Sequence, residues 1–213
     1  MINKRILCFG DSNTWCYDAE SDGRFGDEIR WTNQLHNLLG DAYTVIEEGL
    51  GGRTTVFDDP LLEGLNGLSS LVTVFRSQMP IDMAIIMLGT NDCKERFSVN
   101  AQNSADGLKR LLVKAMDLDE VWVDRPRILV VAPIIMQNGL YDTGWIADEM
   151  GSGCVEKSQR LPALQKVVAD DLGLPFMDCN LFVTPNQIDF MHFDKESNQR
   201  FAESLAEKVV EIV

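Results

Sequence analysis

The chain carries only two histidines in 213 residues, His36 and His192. An imidazole-built metal centre needs ligands at set spacings such as HExxH, and two distant histidines among scattered acids supply none. No metal and no cofactor are expected. The five cysteines, Cys8, Cys16, Cys93, Cys154 and Cys179, are odd in number and include no CxxC pair. That excludes a disulfide framework and a zinc knuckle. Basic residues are few: 19 Lys and Arg stand against 33 Asp and Glu, a net charge of −14. Such a surface repels phosphate backbones and anionic membranes, so nucleic acid is not an expected partner, whereas a neutral small molecule feels little of the field. No stretch approaches the ~20 apolar residues of a membrane span. In MINKRILCFGDS the apolar run is only ILCF, too short for the core of a secretory signal. A cytoplasmic chain with reduced thiols and no membrane partner is the expectation. Also missing are GxxxxGK[ST] and a GxGxxG after the first strand, the phosphate-cradling loops of nucleotide-binding modules.

What is present suits a globular chain. Apolar residues make up 45% and charged residues 24%, and residues 1–213 read as one domain. Short apolar runs recur: Arg5–Phe9, Tyr43–Ile46, Met83–Leu88, Arg127–Ala132 and, more weakly, Leu174–Asp178. The third, and the fourth after Arg127, are continuously apolar over a strand's length, the pattern of parallel strands covered on both faces. Helical stripes lie between them. Trp31, Leu35, Leu38 and Leu39 stop at Gly40. Ala101, Ala105, Leu108, Leu112 and Ala115 form a second stripe. Leu161, Leu164, Val168 and Leu172 form a third, with Pro162 expected near its start or at a kink. Phe201, Leu205, Val209 and Val213 form the last, with Asp194 as a candidate N-cap. Leu61 to Arg76 is less clearly helical. Strands alternating with helices imply right-handed βαβ units, a three-layer α/β/α fold with five parallel strands, and ligand binding outside the carboxyl ends of the strands.

Four polar clusters follow strand ends or precede the last helix: Gly10-Asp11-Ser12-Asn13-Thr14, Gly49-Leu50-Gly51-Gly52-Arg53-Thr54, Gly89-Thr90-Asn91-Asp92 and Asp189-Phe190-Met191-His192. Each has two readings. Ser12 fits a nucleophile that needs a base, or, with Asp11 and Thr14, a helix cap. Asp189, three residues before His192, can orient an imidazole base within one turn, or both can be solvated on a surface turn. Asn91 and Gly52 can donate to a developing oxyanion, or serve local turns. Cys16 and Cys93 adjoin these clusters and are candidates for pocket lining. His36 reads as a surface or rim residue. Trp15, Phe57, Phe97, Tyr141 and Trp145 are candidate walls of an acyl or aryl pocket, or ordinary packing. Gln137 to Cys154 lacks periodicity and either covers the site or forms a contact between copies of a homo-oligomer.

Taken together and in this order, the clusters resemble the four blocks of the SGNH/GDSL hydrolases: a serine nucleophile, glycine and asparagine oxyanion donors, and a histidine base. They correspond to Ser12, Gly52, Asn91 and His192. KRILCFGDSNTW, VIEEGLGGRTTVFDDP, DMAIIMLGTNDCK and HFDKESN are similar to the bacterial arylesterase branch, whose members include acyltransferases and perhydrolases. Gly51 departs from the Ser or Asn that many relatives carry before the block glycine. The resemblance implies a flavodoxin-like sheet in order 2-1-3-4-5. It also implies an esterase with the triad Ser12, Asp189 and His192, an oxyanion hole from Ser12, Gly52 and Asn91, and a small-molecule ester as substrate. Carbohydrate O-acetylesterases, thioesterases and lysophospholipases share these motifs. The alternative of another class is a non-catalytic flavodoxin-like binding module, which has no use for the Asp189/His192 pair.

Overall fold

In the computed structural model, which describes residues 3–213, the apolar runs are the strands of one sheet. β1 (Lys4–Gly10) lies between β4 (Tyr43–Gly49) and β5 (Met83–Met87), followed by β6 (Ile128–Ala132) and β7 (Phe176–Asp178) at the far edge. All pairings in this sheet are parallel. With the antiparallel pair β2 (Tyr17–Asp18) and β3 (Gly23–Arg24) set aside, the order β4-β1-β5-β6-β7 is the 2-1-3-4-5 expected. β5 and β6 are buried at every residue, as continuous MAIIM and ILVVA require when both faces are covered.

Side chains of β1 alternate between two cores. Ile6 and Cys8 join Trp31 and Leu35 of α2 (Trp31–Leu39) and Phe201 and Leu205 of α7 (Lys195–Ile212) on one face. Leu7 and Phe9 join the opposite core, with Leu71 and Phe75 of α3 (Gly67–Gln78), Leu108 and Leu112 of α4 (Ala101–Met116), and Val168 of α6 (Cys154–Leu172). The period of two along a strand delivers alternate residues to opposite layers. A third cluster, with Met136, Leu140, Ile146, Met150 and Met191, anchors the 137–154 stretch, which contains α5 (Trp145–Met150).

Helix ends follow their capping chemistry. Asp194 accepts the Ser197 N–H at 2.7 Å and opens α7. Gly40, at φ 76°, closes α2. Asn66 caps α3 through the Ser69 N–H, which makes a helix of a segment whose apolar stripe is weak. α6 begins at Cys154, so Pro162 lies inside it rather than near its start. The buried Leu161, Gln165 and Val168 hold the helix through the missing backbone bond. The β2–β3 pair has no sequence signature because two-residue strands have no period to read. Among the described residues, no helix is long and apolar enough to cross a membrane.

β1 and β5 are neighbours, so the turn after Gly10 and the loop after Met87 emerge side by side at the carboxyl edge of the sheet.

Candidate active site

At the end of β1 the chain turns directly into α1 (Ser12–Trp15). Asp11 caps this turn by accepting the Asn13 N–H at 3.0 Å. The capping role therefore falls to Asp11, and the Ser12 hydroxyl is left to meet His192: Nε2 and Oγ are 2.8 Å apart. α1 lies hard against the end of β4, where a Cβ on Gly49 would come 2.1 Å from the Trp15 nitrogen. Only glycine permits that approach.

The His192 imidazole is held by a turn that folds onto its own carboxylate. Asp189 Oδ2 is 2.7 Å from His192 Nδ1, while Oδ1 accepts the N–H groups of Met191 and His192 at 2.9 and 3.0 Å. Phe190, at φ 59°, takes the left-handed conformation between them. Asn186 donates from Nδ2 to Asp189 Oδ1 and to the His192 carbonyl, both at 2.9 Å. Burial works against the Asp189 charge, but the His192 imidazole and the two backbone N–H groups outweigh it and hold the carboxyl below its usual range. With the carboxylate at Nδ1, the Nδ1–H tautomer leaves Nε2 free to accept the Ser12 proton. Tyr17 packs its ring on the imidazole with centroids 4.6 Å apart.

Asn91 and Gly52 line the same pocket as Ser12 and His192. Asn91 Nδ2 donates one hydrogen to the Arg53 carbonyl at 3.1 Å, which leaves its second amide hydrogen for a ligand. Gly52 sits at φ 84°, and a Cβ there would meet Leu65 Cδ1 at 2.9 Å. Below Asn91, buried Asp92 accepts the Thr55 N–H at 2.8 Å and the Thr55 and Ser104 hydroxyls at 2.6 Å each. Burial pushes its carboxyl up to about 6 despite these bonds.

The pocket has a volume of about 220 Å³. Its walls are Leu62, Ile146, Met150 and Met191, with Trp145, Lys94 and Glu149 also lining it. Lys94 and Glu149 form an ion pair at 2.7 Å, and Arg96 bridges Glu149 to Asp59. The 137–154 stretch thus reaches the site through α5. Of the aromatics considered as walls, only Trp145 lines this pocket. Phe57 and Phe97 face each other at 6.0 Å, Trp15 packs under Arg24, and the Tyr141 hydroxyl binds Glu156. Cys16 and Cys93 are buried beside the motifs but do not line the pocket. Burial pushes the Cys16 thiol up to about 12 and raises that of Cys93 further. His36 is half-buried on α2, away from these residues. Sequence reasoning missed Tyr17, Leu62, Lys94, Glu149, Ile146, Met150 and Met191. Lys94 lies three residues beyond Asn91 in the same loop, and Met191 lies inside the Asp189–His192 cluster. Ile146, Glu149 and Met150 lie in the 137–154 stretch read as a cover or a contact, whereas Tyr17 and Leu62 had no signal.

The model of the GDSL-like lipase/acylhydrolase family matches residues 8–202. Among solved structures, an aryl esterase from M. smegmatis is 34% identical, with 99% of this chain and 100% of that chain covered and a TM-score of 0.88. A carbohydrate acetylesterase from Sinorhizobium meliloti is 35% identical, with 99% and 100% covered and a TM-score of 0.91. No curated protein matches the chain.

Proposed function

Since the chain belongs to the GDSL-like lipase/acylhydrolase family, we propose that this esterase hydrolyses short-chain or aryl esters with Ser12 as nucleophile, His192 as general base and Asp189 as its orienting carboxylate. The observation that carries the reading is the unbroken line from Asp189 Oδ2 to His192 Nδ1 at 2.7 Å and from Nε2 to Ser12 Oγ at 2.8 Å, at the wall of a small, mostly apolar pocket.

Ser12 Oγ attacks the ester carbonyl as His192 Nε2 takes its proton. The tetrahedral oxyanion receives hydrogen bonds from the free amide hydrogen of Asn91 and from the N–H groups of Gly52 and Ser12. The intermediate collapses, His192 returns the proton to the departing alkoxide, and an acyl-Ser12 ester remains. Water, deprotonated by His192, attacks that ester and releases the acid. An alcohol or a peroxide that enters before water takes the acyl group instead, giving transfer or perhydrolysis.

Pocket size supports a short acyl chain, since ~300–1,000 Å³ is usual for drug-sized ligands and this pocket holds about 220 Å³. The net charge of −14 disfavours anionic acyl-CoA and phospholipid substrates. A second reading, hydrolysis of O-acetylated sugars, is favoured by Trp145. It is 59% exposed at the pocket beside the polar Glu149 and Lys94, an aromatic platform suited to a sugar ring.

A fluorophosphonate probe followed by peptide mapping tests the site. Labelling at Ser12, together with loss of both label and ester hydrolysis in Ser12→Ala, is expected. An active Ser12→Ala, or label placed elsewhere, overturns the assignment. Rates on p-nitrophenyl acetate, butyrate and octanoate, acetylated xylose and acetyl-CoA then rank the substrate classes.

A further inference from the structure

Arg53 belongs to the second polar cluster, yet the reaction as written gives its side chain nothing to do. It is 4% exposed, and a guanidinium is rarely buried without a partner of opposite charge. Among the described residues, no carboxylate lies within ion-pair distance of it. Its charge is met instead by backbone and by a ring. Nη1 donates to the Gly10 carbonyl at 2.8 Å and to the Glu48 carbonyl, and the guanidinium carbon sits 4.1 Å from the centroid of Phe9. Gly10 is the last residue of β1, two before the nucleophile, and Glu48 is the penultimate residue of β4, just before the glycine loop. The backbone of Arg53 is equally engaged. Its N–H donates to the Leu50 carbonyl at 3.1 Å, closing the Gly51-Gly52 loop, and its carbonyl accepts from Asn91 Nδ2 at 3.1 Å.

One residue therefore touches all three segments that supply the oxyanion donors. Its side chain fixes the spacing between the Ser12 turn and the glycine loop. That spacing sets where the Arg53 carbonyl sits, and the carbonyl orients the Asn91 carboxamide. Charge-assisted bonds to two carbonyls on adjacent strand ends hold this geometry more stiffly than a neutral side chain can. We infer that Arg53 is a positioning residue for the oxyanion hole: its buried guanidinium locks the Gly52 N–H and Asn91 Nδ2 into the arrangement that meets the developing negative charge. The inference rests on the esterase reading above and adds a residue whose effect is felt only through Gly52 and Asn91.

The test is a double-mutant cycle on p-nitrophenyl acetate, with kcat expressed per fluorophosphonate-titrated site so that unfolded molecules drop out. Arg53→Met is expected to lower kcat by roughly 10- to 100-fold while KM stays within about 2-fold, the signature of a misplaced transition-state contact. Arg53→Lys, which keeps the charge but has a single donor head, is expected to recover part of that loss. In an Asn91→Ala background, the same Arg53→Met change is expected to cost only about 3-fold or less, because one of the groups it positions is already gone. If Arg53→Met does not fold, Arg53→Lys completes the cycle with the same expectation at smaller amplitude. Full kcat in both variants, or an equal loss with and without Asn91, overturns the inference. Ser12→Ala measured alongside separates the two levels. If it is active, the esterase site itself is wrong. If it is inactive while Arg53 and Asn91 act additively, only the positioning role falls.

Discussion

The carboxamide of Asn13 brackets His192: its Oδ1 accepts the Phe193 N–H at 3.0 Å, and its Nδ2 donates to the Met191 carbonyl at 3.4 Å. The residue next to Ser12 thereby holds both chain neighbours of His192. Its own carbonyl accepts the indole N–H of Trp31 at 2.9 Å, which ties the pair to the α2 layer. The serine–histidine distance is thus a property of a bonded frame rather than of two side chains that happen to meet.

Asn13→Ala leaves the Phe193 N–H and the Met191 carbonyl without these partners in a buried setting. A stability loss of about 1–3 kcal/mol is expected from the unmade bonds, together with a fall in kcat larger than any change in KM. Denaturant midpoints and steady-state rates on one ester check both. Wild-type kcat in a destabilised variant removes the positioning role.

Asp189→Asn keeps the shape of the turn and reverses the imidazole. The carboxamide oxygen can take the three donors now on Oδ1, which turns its NH2 toward Nδ1 and places the ring proton on Nε2, facing Ser12. A kcat loss of roughly 10⁴-fold with little change in KM is expected for a base in the wrong tautomer. Burst kinetics checks the step affected, since acylation and not deacylation alone is slowed.

Asn91→Ala removes a side-chain donor whose carbonyl anchor, Arg53, stays in place. About 10²- to 10³-fold in kcat is expected. Gly52→Ala acts differently. At φ 84°, and with Leu65 Cδ1 2.9 Å from the added carbon, it strains the backbone by about 1–2 kcal/mol and displaces the amide as well. Asn91→Ala also loses the buried bond to the Arg53 carbonyl, about 1 kcal/mol. Thermal melts therefore place both below the parent, with Gly52→Ala lower because strain and the Leu65 clash add to its cost.

Two buried carboxylates give pH dependences of opposite sign. The folded-state pKa of Asp92 is raised from 3.8 to about 6, so its contribution is fully present below 3.8 and is lost as pH rises through 6. A shift of that size corresponds to about 3 kcal/mol. Asp189 is lowered, by the imidazole and backbone donors prevailing over burial, so its contribution is present above 3.8 and lost as pH falls through its lower folded value. Asp92→Asn is expected to flatten the decline of unfolding free energy between pH 4 and 6, and Asp189→Asn the decline below that window. Urea titrations from pH 3 to 7 measure both slopes, and an unchanged slope in either variant rejects its assignment.

Much of this molecule is written in short-range pattern. MAIIM and ILVVA are buried strands because nothing polar interrupts them, α7 starts where Asp194 can cap it, and Asp189 reaches His192 because both lie in one turn. Such features depend on neighbours a few residues apart, so residue order alone specifies them. The resemblance to known blocks likewise picked out Ser12, Gly52 and Asn91. The pocket walls were legible only in part: Trp145 stood among the candidate walls, but most of the lining did not. Tyr17, Leu62, Lys94, Trp145, Glu149 and Met191 come from separate segments and meet only through the register of β1 between β4 and β5 and the docking of α5 on its own apolar cluster. Nor does sequence assign Arg53 to Gly10, Glu48 and Asn91, or Asn13 to the flanks of His192, because a hydrogen bond across such separations leaves no local period. Residue order determined the elements and the polar clusters at their ends. The tertiary structure decided their distances and the walls around them, because packing and strand register act through space, where no local pattern records them.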